Sequence, residues 1–268
     1  MAPFRVQWEQ LWYRTVVETK REPAIIFVRF GQNVFNGLLA IGIWWQVNGN
    51  SKVDIQNMVG VVFIMITNMF MGSFFASLNI FQAERPVFLR EQANQMYGFL
   101  PYFLTKQIIE QPALIFAPIF YLLVTFWGVG FYNSWECFFG IWLTLIMVSE
   151  VSTALGLIIS ANCEEMASAS AVSNLITLPS MMFAGLFANT STMFSFLSWI
   201  QWLSPVRYAF EAGLISEFKP RGREYLYEDF LGFGTRLGYW KCQACMLGLT
   251  FAARLISLLA LKLNIKKF

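Results

Sequence analysis

The sequence contains no histidine, and only 13% of its 268 residues are charged, whereas an average soluble domain is about 25% charged. Without histidine, a His-based general base, a catalytic triad of the usual kind and most zinc sites are excluded. Only Cys242 and Cys245, among four cysteines, form a C-x-x-C pair. A structural zinc ion needs about four ligands, so we expect no metal site.

A phosphate-binding loop is also missing. The pattern G-x-x-x-x-G-K-[ST] does not occur, and neither does another glycine-rich strand-to-helix element. We therefore expect that this chain is not an enzyme and binds no cofactor. Any work would have to draw its energy from another chain, from a region outside this sequence or from an ion gradient.

Apolar residues are abundant: 57% of the chain is hydrophobic and 18% is aromatic. Several apolar runs exceed the roughly 18 residues that mark a spanning helix. The pattern predicts an all-α membrane protein with six transmembrane helices, and it places residues 23–268 in one membrane domain. The predicted spans cover about 24–46, 57–81, 99–127, 136–160, 165–188 and 239–261.

Residues 191–203 are apolar but too few to cross a hydrocarbon core about 30 Å thick. They predict a re-entrant segment between helices five and six, within an outer loop over 189–238. Residues 1–22 have a different pattern, because large apolar side chains recur on one helical face. This pattern predicts an amphipathic helix in the headgroup region, and the alternative is a packed surface helix of a soluble domain.

The connection between spans two and three, residues 82–98, contains the charged stretch ERPVFLREQANQMYG. It has two interpretations: a solvated connector, or a contact site through which a component outside the membrane moves the spans. The excess of Lys and Arg in the other connections favours a cytosolic position for this stretch and for both termini.

Four charged residues lie within apolar runs: Arg29, Glu110, Glu150 and Arg254. Such groups usually face the interior of the bundle and find a partner. We interpret them as structural clamps, with a functional relay as the alternative; either carboxylate could pair with either arginine. Arg29 also begins a polar stripe, with Gln32, Asn33 and Asn36, that should face protein.

Thr67 and Asn68 lie in span two among adaptable apolar side chains, including Phe63 and Met71. This mixture suits an amphipathic small molecule. On composition alone, a hydrogen bond between neighbouring helices is the favoured explanation of the polar pair.

Two long stretches, AERPVFLREQANQMYGFLPYFLTKQIIEQP and WLSPVRYAFEAGLISEF, closely resemble the transmembrane domain of the G subfamily of ATP-binding cassette exporters. This is the white-pigment, sterol and breast-cancer-resistance group, and the resemblance covers essentially the whole chain. It implies that residues 1–22 are the connecting helix, and that a nucleotide-binding domain, absent from this chain, carries ATP and Mg. It also implies a homodimer or heterodimer in the plasma membrane or an endomembrane.

The resemblance also implies roles for individual residues. Met71 stands where the multidrug member has a phenylalanine, and Ile115 where that member has an arginine. The implied substrate pathway is Phe63, Thr67, Asn68, Met71, Leu178 and Met181; the outer gate is Leu186 and Phe187; the contact with the nucleotide-binding domain is Glu84, Arg85, Arg90 and Glu91.

The leading hypothesis is therefore a membrane-spanning subunit or fragment of an ATP-driven exporter of amphipathic or lipid-like molecules, with no nucleic-acid partner. The alternative is a non-transporting membrane protein that dimerises with motor-bearing half-transporters and regulates them. An ion-coupled carrier is disfavoured, because the two halves of the chain lack paired interrupted spans.

Overall fold

The computed structural model describes residues 3–21, 23–47, 51–186, 199–222 and 237–265. All regular secondary structure in these ranges is α-helical, which confirms the predicted all-α class. The helices are α1 (Phe4–Arg21), α2 (Pro23–Ile43), α3 (Lys52–Ala93), α4 (Phe99–Val129), α5 (Trp135–Asn162), α6 (Met166–Met182), α7 (Ile200–Leu203), α8 (Pro205–Phe218) and α9 (Tyr239–Ile265).

Within the described ranges, four helices are long and apolar enough to cross a membrane. They are Lys52–Ala93, Phe99–Val129, Trp135–Asn162 and Tyr239–Leu263, and they contain four of the six predicted spans. The predicted spans 24–46 and 165–188 correspond to α2 and α6, which have 21 and 17 residues. The structure therefore supports four spanning helices, and the count of six stays a prediction.

Helix α3 has 42 residues and is roughly 63 Å long at 1.5 Å per residue. It begins with a capping box, in which the Ser51 hydroxyl accepts from the Asp54 amide and the Asp54 carboxylate accepts from the Ser51 amide. The helix continues past residue 81, where the predicted span ends, to Ala93. The predicted connector 82–98 is therefore helical over most of its length.

Packing explains why α3 continues even though Pro86 removes one helical hydrogen bond. Phe81 and Phe88 lie on the same face of α3 and pack in a buried cluster with Tyr97 and Tyr102. The rings of Phe88 and Tyr102 stack with centroids 4.5 Å apart. Burial of these aromatic side chains stabilises the extra turns of α3 against the start of α4.

The main core lies where α3 packs along α5 and both contact α8. Phe70 and Leu145 are completely buried in it. A close approach of the two long helices requires glycine at position 156, since a Cβ there would lie 2.6 Å from the carbonyl oxygen of Phe74. Gly156 therefore brings the two helices together at mid-length.

The described part of the predicted outer loop, residues 199–222 and 237–238, contains a buried helix. α8 has almost no exposed side chains, and Glu211 and Glu217 are 2% and 0% exposed. The Glu211 carboxylate accepts from the amides of Leu237 and Gly238 at 2.7 and 3.1 Å, immediately before α9. The sequence suggested a polar loop here, but this carboxylate holds the two residues that lead into the last helix.

The second buried carboxylate of α8 anchors the other end of the same helix. Glu217 forms an ion pair with Arg221 at 2.6 Å and accepts from the Tyr132 amide at 3.0 Å. The Arg221 guanidinium donates in turn to the Gly130 carbonyl at 3.1 Å. α8 is therefore fixed to the turn between α4 and α5 as well as to the start of α9.

Candidate functional site

A groove of about 580 Å³ lies between α2, α3 and α4. Asn68 and Met71 of α3 line it on one side. Arg29, Gln32 and Asn33 of α2 line the other. Asn33 also donates from its side-chain amide to the Ala117 carbonyl of α4 at 3.4 Å. Three residues of the predicted polar stripe of α2 thus line this groove, whereas the fourth, Asn36, does not.

Most of the remaining groove lining is apolar or small, with side chains from α3 and α4 such as Met69, Phe75, Ala76, Leu114 and Pro118. A concave, mostly apolar surface with a few convergent polar groups is the usual form of a small-molecule site. Methionine and phenylalanine adapt to differently shaped partners. The groove is therefore suited chemically to an amphipathic ligand.

The implied pathway residues of α3 have different surroundings. Asn68 and Met71 line the groove, whereas Phe63 and Thr67 are buried in the main core at 5% and 6% exposure. The Phe63 ring packs edge-on against Phe210 with centroids 5.4 Å apart. The Thr67 hydroxyl donates to the Phe63 carbonyl at 2.9 Å. At 100° per residue, position 71 lies about 40° from position 67, whereas position 68 lies about 100° from it. Met71 is therefore at the border between core and groove, and it also packs against the main core.

The implied pathway residues of α6 do not line this groove. Leu178 is 57% exposed and Met181 is partly buried. Of the implied outer gate, Leu186 packs against the main core, and Phe187 lies outside the described residues.

At one end of the domain, α1 is attached to the end of α3 by a charged contact. Arg14 donates to both carboxylate oxygens of Glu91 at 2.9 Å. The Tyr97 hydroxyl donates to the same carboxylate at 2.6 Å. Burial and this hydrogen bond raise the pKa of Tyr97, so the hydroxyl stays a donor at neutral pH. Gln7 of α1 also accepts from the Gly98 amide at 2.8 Å.

The four implied coupling residues therefore differ in availability. Glu91 is engaged by Arg14 and Tyr97. Glu84 accepts from the Tyr102 hydroxyl at 3.0 Å and pairs with Lys106. Arg85 is buried, and Arg90 is exposed. Only Arg90 presents its charge on the surface of this chain.

The charges within the apolar runs are not equivalent either. Glu150 of α5 pairs with Arg254 of α9 and also accepts from the Gln111 side chain at 3.3 Å. Arg29 and Glu110 line one cavity beside α1. The structure thus places an ion pair between α5 and α9, and a separate pair of charges at α2 and α4.

Sequence reasoning did not single out Arg14, Tyr97, Lys106 or Gln111 as partners of these acids. Arg14 lies 77 residues from Glu91, so no local pattern connects them. Lys106 lies 22 residues from Glu84, and its spacing of one helical turn from Glu110 in the segment FLTKQIIEQP would have indicated a different acid as its partner.

A comparison with known protein families matches the ABC-2 type transporter family over residues 6–218. The chain belongs to this family. The matched residues include α1, the groove and α8. Together with its four helices of spanning length and composition, membership identifies this ABC-2 domain as an integral membrane protein.

Individual relatives of this ABC-2 domain are members of the G family. Protein white of Drosophila melanogaster is 30% identical over 217 residues, which are 81% of this chain and 31% of that protein. ABC transporter G family member 1 of Dictyostelium discoideum is 28% identical over 221 residues, or 81% of this chain and 28% of that protein. "ABC transporter ATP-binding protein/permease wht-1" of Caenorhabditis elegans is 29% identical, covering 81% and 32%. The chain spans about a third of these relatives.

Proposed function

We propose that this chain forms the membrane-spanning part of an ATP-driven exporter of amphipathic or lipid-like small molecules. The observation that carries the proposal is the groove of about 580 Å³, in which Asn68 and Met71 of α3 face the polar stripe of α2. An apolar groove with a few polar side chains orients an amphipathic molecule without binding one chemical structure exclusively. The relatives of this ABC-2 domain in the transporter G family support the same class of function.

The proposal includes six membrane crossings, with α2 and α6 as the additional two and with a re-entrant segment before α8. α2 presents exposed apolar side chains, including Phe35 at 60% and Leu38 at 57%, which suit contact with lipid. The polar stripe of α2 lies at the groove. Such a division of one helix into an apolar and a polar side is expected of a spanning helix in a bundle.

A second copy, or a similar membrane domain, would complete the pathway at a dimer axis. α6 presents a row of exposed apolar side chains: Leu175, Leu178 and Met182 are 75%, 57% and 58% exposed. An apolar row of this kind favours a partner, although lipid would also cover it. In this arrangement Leu178 and Met181 contribute to the pathway from the partner-facing side, and Leu186 and Phe187 form its outer gate.

Coupling to a nucleotide-binding domain, which would hold ATP and Mg, is assigned to the end of α3. Arg90 is exposed there and is free for an acidic partner surface. Glu91 instead holds α1 through Arg14. A push on Arg90 would therefore move α3 and α1 together, and the groove residues lie on the same continuous α3 helix. Coupling requires that the nucleotide-binding domain favours one packing of these helices over another by a few kcal/mol.

A transport assay tests the proposal. The chain is reconstituted in proteoliposomes with the polypeptide that supplies the nucleotide-binding domain, and ATP-dependent movement of a fluorescent short-chain phospholipid is measured. Met71→Trp, which fills the groove, should abolish the movement. Leu255→Trp on α9, where the native side chain is 62% exposed, is the matched control and should leave it unchanged.

The same preparation distinguishes the alternative function. Stable co-purification with a motor-bearing chain, combined with no ATP-dependent movement of the phospholipid or of other amphipathic probes, would contradict the exporter and favour a regulatory membrane partner. Equal transport by wild type and Met71→Trp would show that the substrate does not pass through this groove.

A further inference from the structure

A second cavity, of about 480 Å³, lies where α1 meets α2, α3 and α4. Thr15, Val16 and Thr19 of α1 form one side of it. α1 ends at Arg21 and α2 begins at Pro23, and we infer that the cavity lies at the membrane surface, where an amphipathic α1 would rest. It is adjacent to the substrate groove, because Arg29 and Ala113 line both.

Six ionisable side chains line this cavity, three of each sign: Lys20, Arg29 and Lys106 with Glu18, Glu84 and Glu110. Lys106 and Glu84 form an ion pair. In the described part of the chain, the other four make no hydrogen bond and no ion pair within 4.0 Å of another side chain. Two cations and two carboxylates in the cavity therefore remain without a direct partner among the described residues, and their charges sum to zero.

Arg29 and Glu110 are the important members of this set, because they lie within apolar helices. Both are only partly exposed, and they attract each other without forming a direct ion pair. A charged group at such a depth is costly unless it has a partner. A ligand carrying both an anion and a cation would satisfy Arg29 and Glu110 together.

The remaining wall of the cavity is apolar and leads to an exposed apolar side of α4. Phe30, Ile109, Pro112 and Phe116 line it, and Phe116 is 54% exposed. The Phe30 ring also meets the Phe120 ring edge-on, with centroids 4.9 Å apart, and this contact joins α2 to α4. A head group in the cavity would therefore have its acyl chains on the exposed apolar side of α4.

We propose that this cavity binds one zwitterionic phospholipid with a primary amine, of the phosphatidylethanolamine type, from the leaflet on which α1 lies. Its phosphate contacts Arg29, with Lys20 at the rim, and its ammonium donates to Glu110, with Glu18 nearby. A primary ammonium has three N–H donors for carboxylates, and a quaternary ammonium has none. An anionic phospholipid would leave Glu110 unsatisfied. The proposal does not rest on transport, because the lipid is a resident one.

Native mass spectrometry of the chain, released from nanodiscs with equal amounts of phosphatidylethanolamine, phosphatidylcholine and phosphatidylglycerol of identical acyl chains, tests the assignment. The wild type should retain one phosphatidylethanolamine in preference to the other two. Glu110→Gln should reduce that retention roughly tenfold, as for loss of one charge-assisted contact, and remove the preference over phosphatidylcholine. Arg29→Gln should weaken retention of all three lipids.

Arg5→Gln is the matched control, since Arg5 forms an exposed ion pair with Glu9 away from the cavity lining; it should retain lipid as the wild type does. Preferred retention of phosphatidylglycerol, equal retention of all three lipids, or no retained lipid would overturn the proposal. An unchanged preference in Glu110→Gln would overturn the assigned contact. If either variant fails to fold, the competition in the wild type still decides, because only a preference for the primary amine agrees with the proposal.

Discussion

The ion pair between Glu150 of α5 and Arg254 of α9 should be a structural clamp whose loss is measurable. The side chains are 10% and 26% exposed, so Arg254→Met leaves a nearly buried carboxylate with one remaining donor, the Gln111 amide at 3.3 Å. Breaking a buried pair at one partner costs about 3–5 kcal/mol, and the partial exposure of Arg254 favours about 3 kcal/mol. For a chain of this size that corresponds to a fall in Tm of roughly 6–12 °C.

The assay is thermal unfolding of the purified chain in detergent, followed by the loss of its monodisperse size-exclusion peak. The double variant Glu150→Gln/Arg254→Met removes both charges and should recover at least half of the loss, because no unpaired carboxylate remains. Arg5→Met, in an exposed pair, should change Tm by no more than the measurement error. A fall of less than 2 °C in Arg254→Met, or a double variant as unstable as the sum of its singles, would refute the clamp.

Three further outcomes follow from other contacts. Gly156→Ala should cost about 1–3 kcal/mol, because its Cβ would meet a backbone carbonyl of α3 at 2.6 Å, and Gly248→Ala, with open space around it, should not lower Tm. Glu211→Gln should cost about 1–2 kcal/mol and speed amide hydrogen exchange at Leu237 and Gly238, whose amides donate to its carboxylate; unchanged exchange would contradict this contact. Arg14→Ala should speed amide hydrogen exchange throughout α1. Arg90→Ala should instead reduce the coupling of ATP hydrolysis to transport and leave the amides of α1 protected. The reverse pattern would exclude both assignments.

The helical class followed directly from composition, because long apolar runs can satisfy their backbone groups in lipid only as helices or closed barrels. The residue at which the second helix ends could not be predicted from composition. Residues 82–93 are charged enough to indicate a loop, yet Phe81 and Phe88 pack against Tyr97 and Tyr102 and keep α3 helical. Local polarity shows that a segment leaves the membrane, but only tertiary packing decides whether its helix stops there.

The candidate site was predictable in the same limited way. The polar stripe of α2 was visible from its spacing, and it lies at the groove. A family resemblance placed Phe63 and Met71 in one pathway, whereas the helical rotation between them places the first in the core and the second in the groove. The pairing of Glu91 with Arg14 joins residues far apart in the chain, so it depends on how α1 docks.

The most direct test of the central claim is site-specific modification of the groove. Met71→Cys is prepared with Cys163 and Cys245 changed to serine, since these native thiols are partly exposed, and reconstituted with the motor-bearing polypeptide. A bulky thiol reagent should stop ATP-dependent movement of a fluorescent short-chain phospholipid, and excess of that phospholipid should slow the modification. Leu255→Cys should react without either effect. Full transport after complete modification of Met71→Cys would contradict the claim that substrate passes through the groove between α2, α3 and α4.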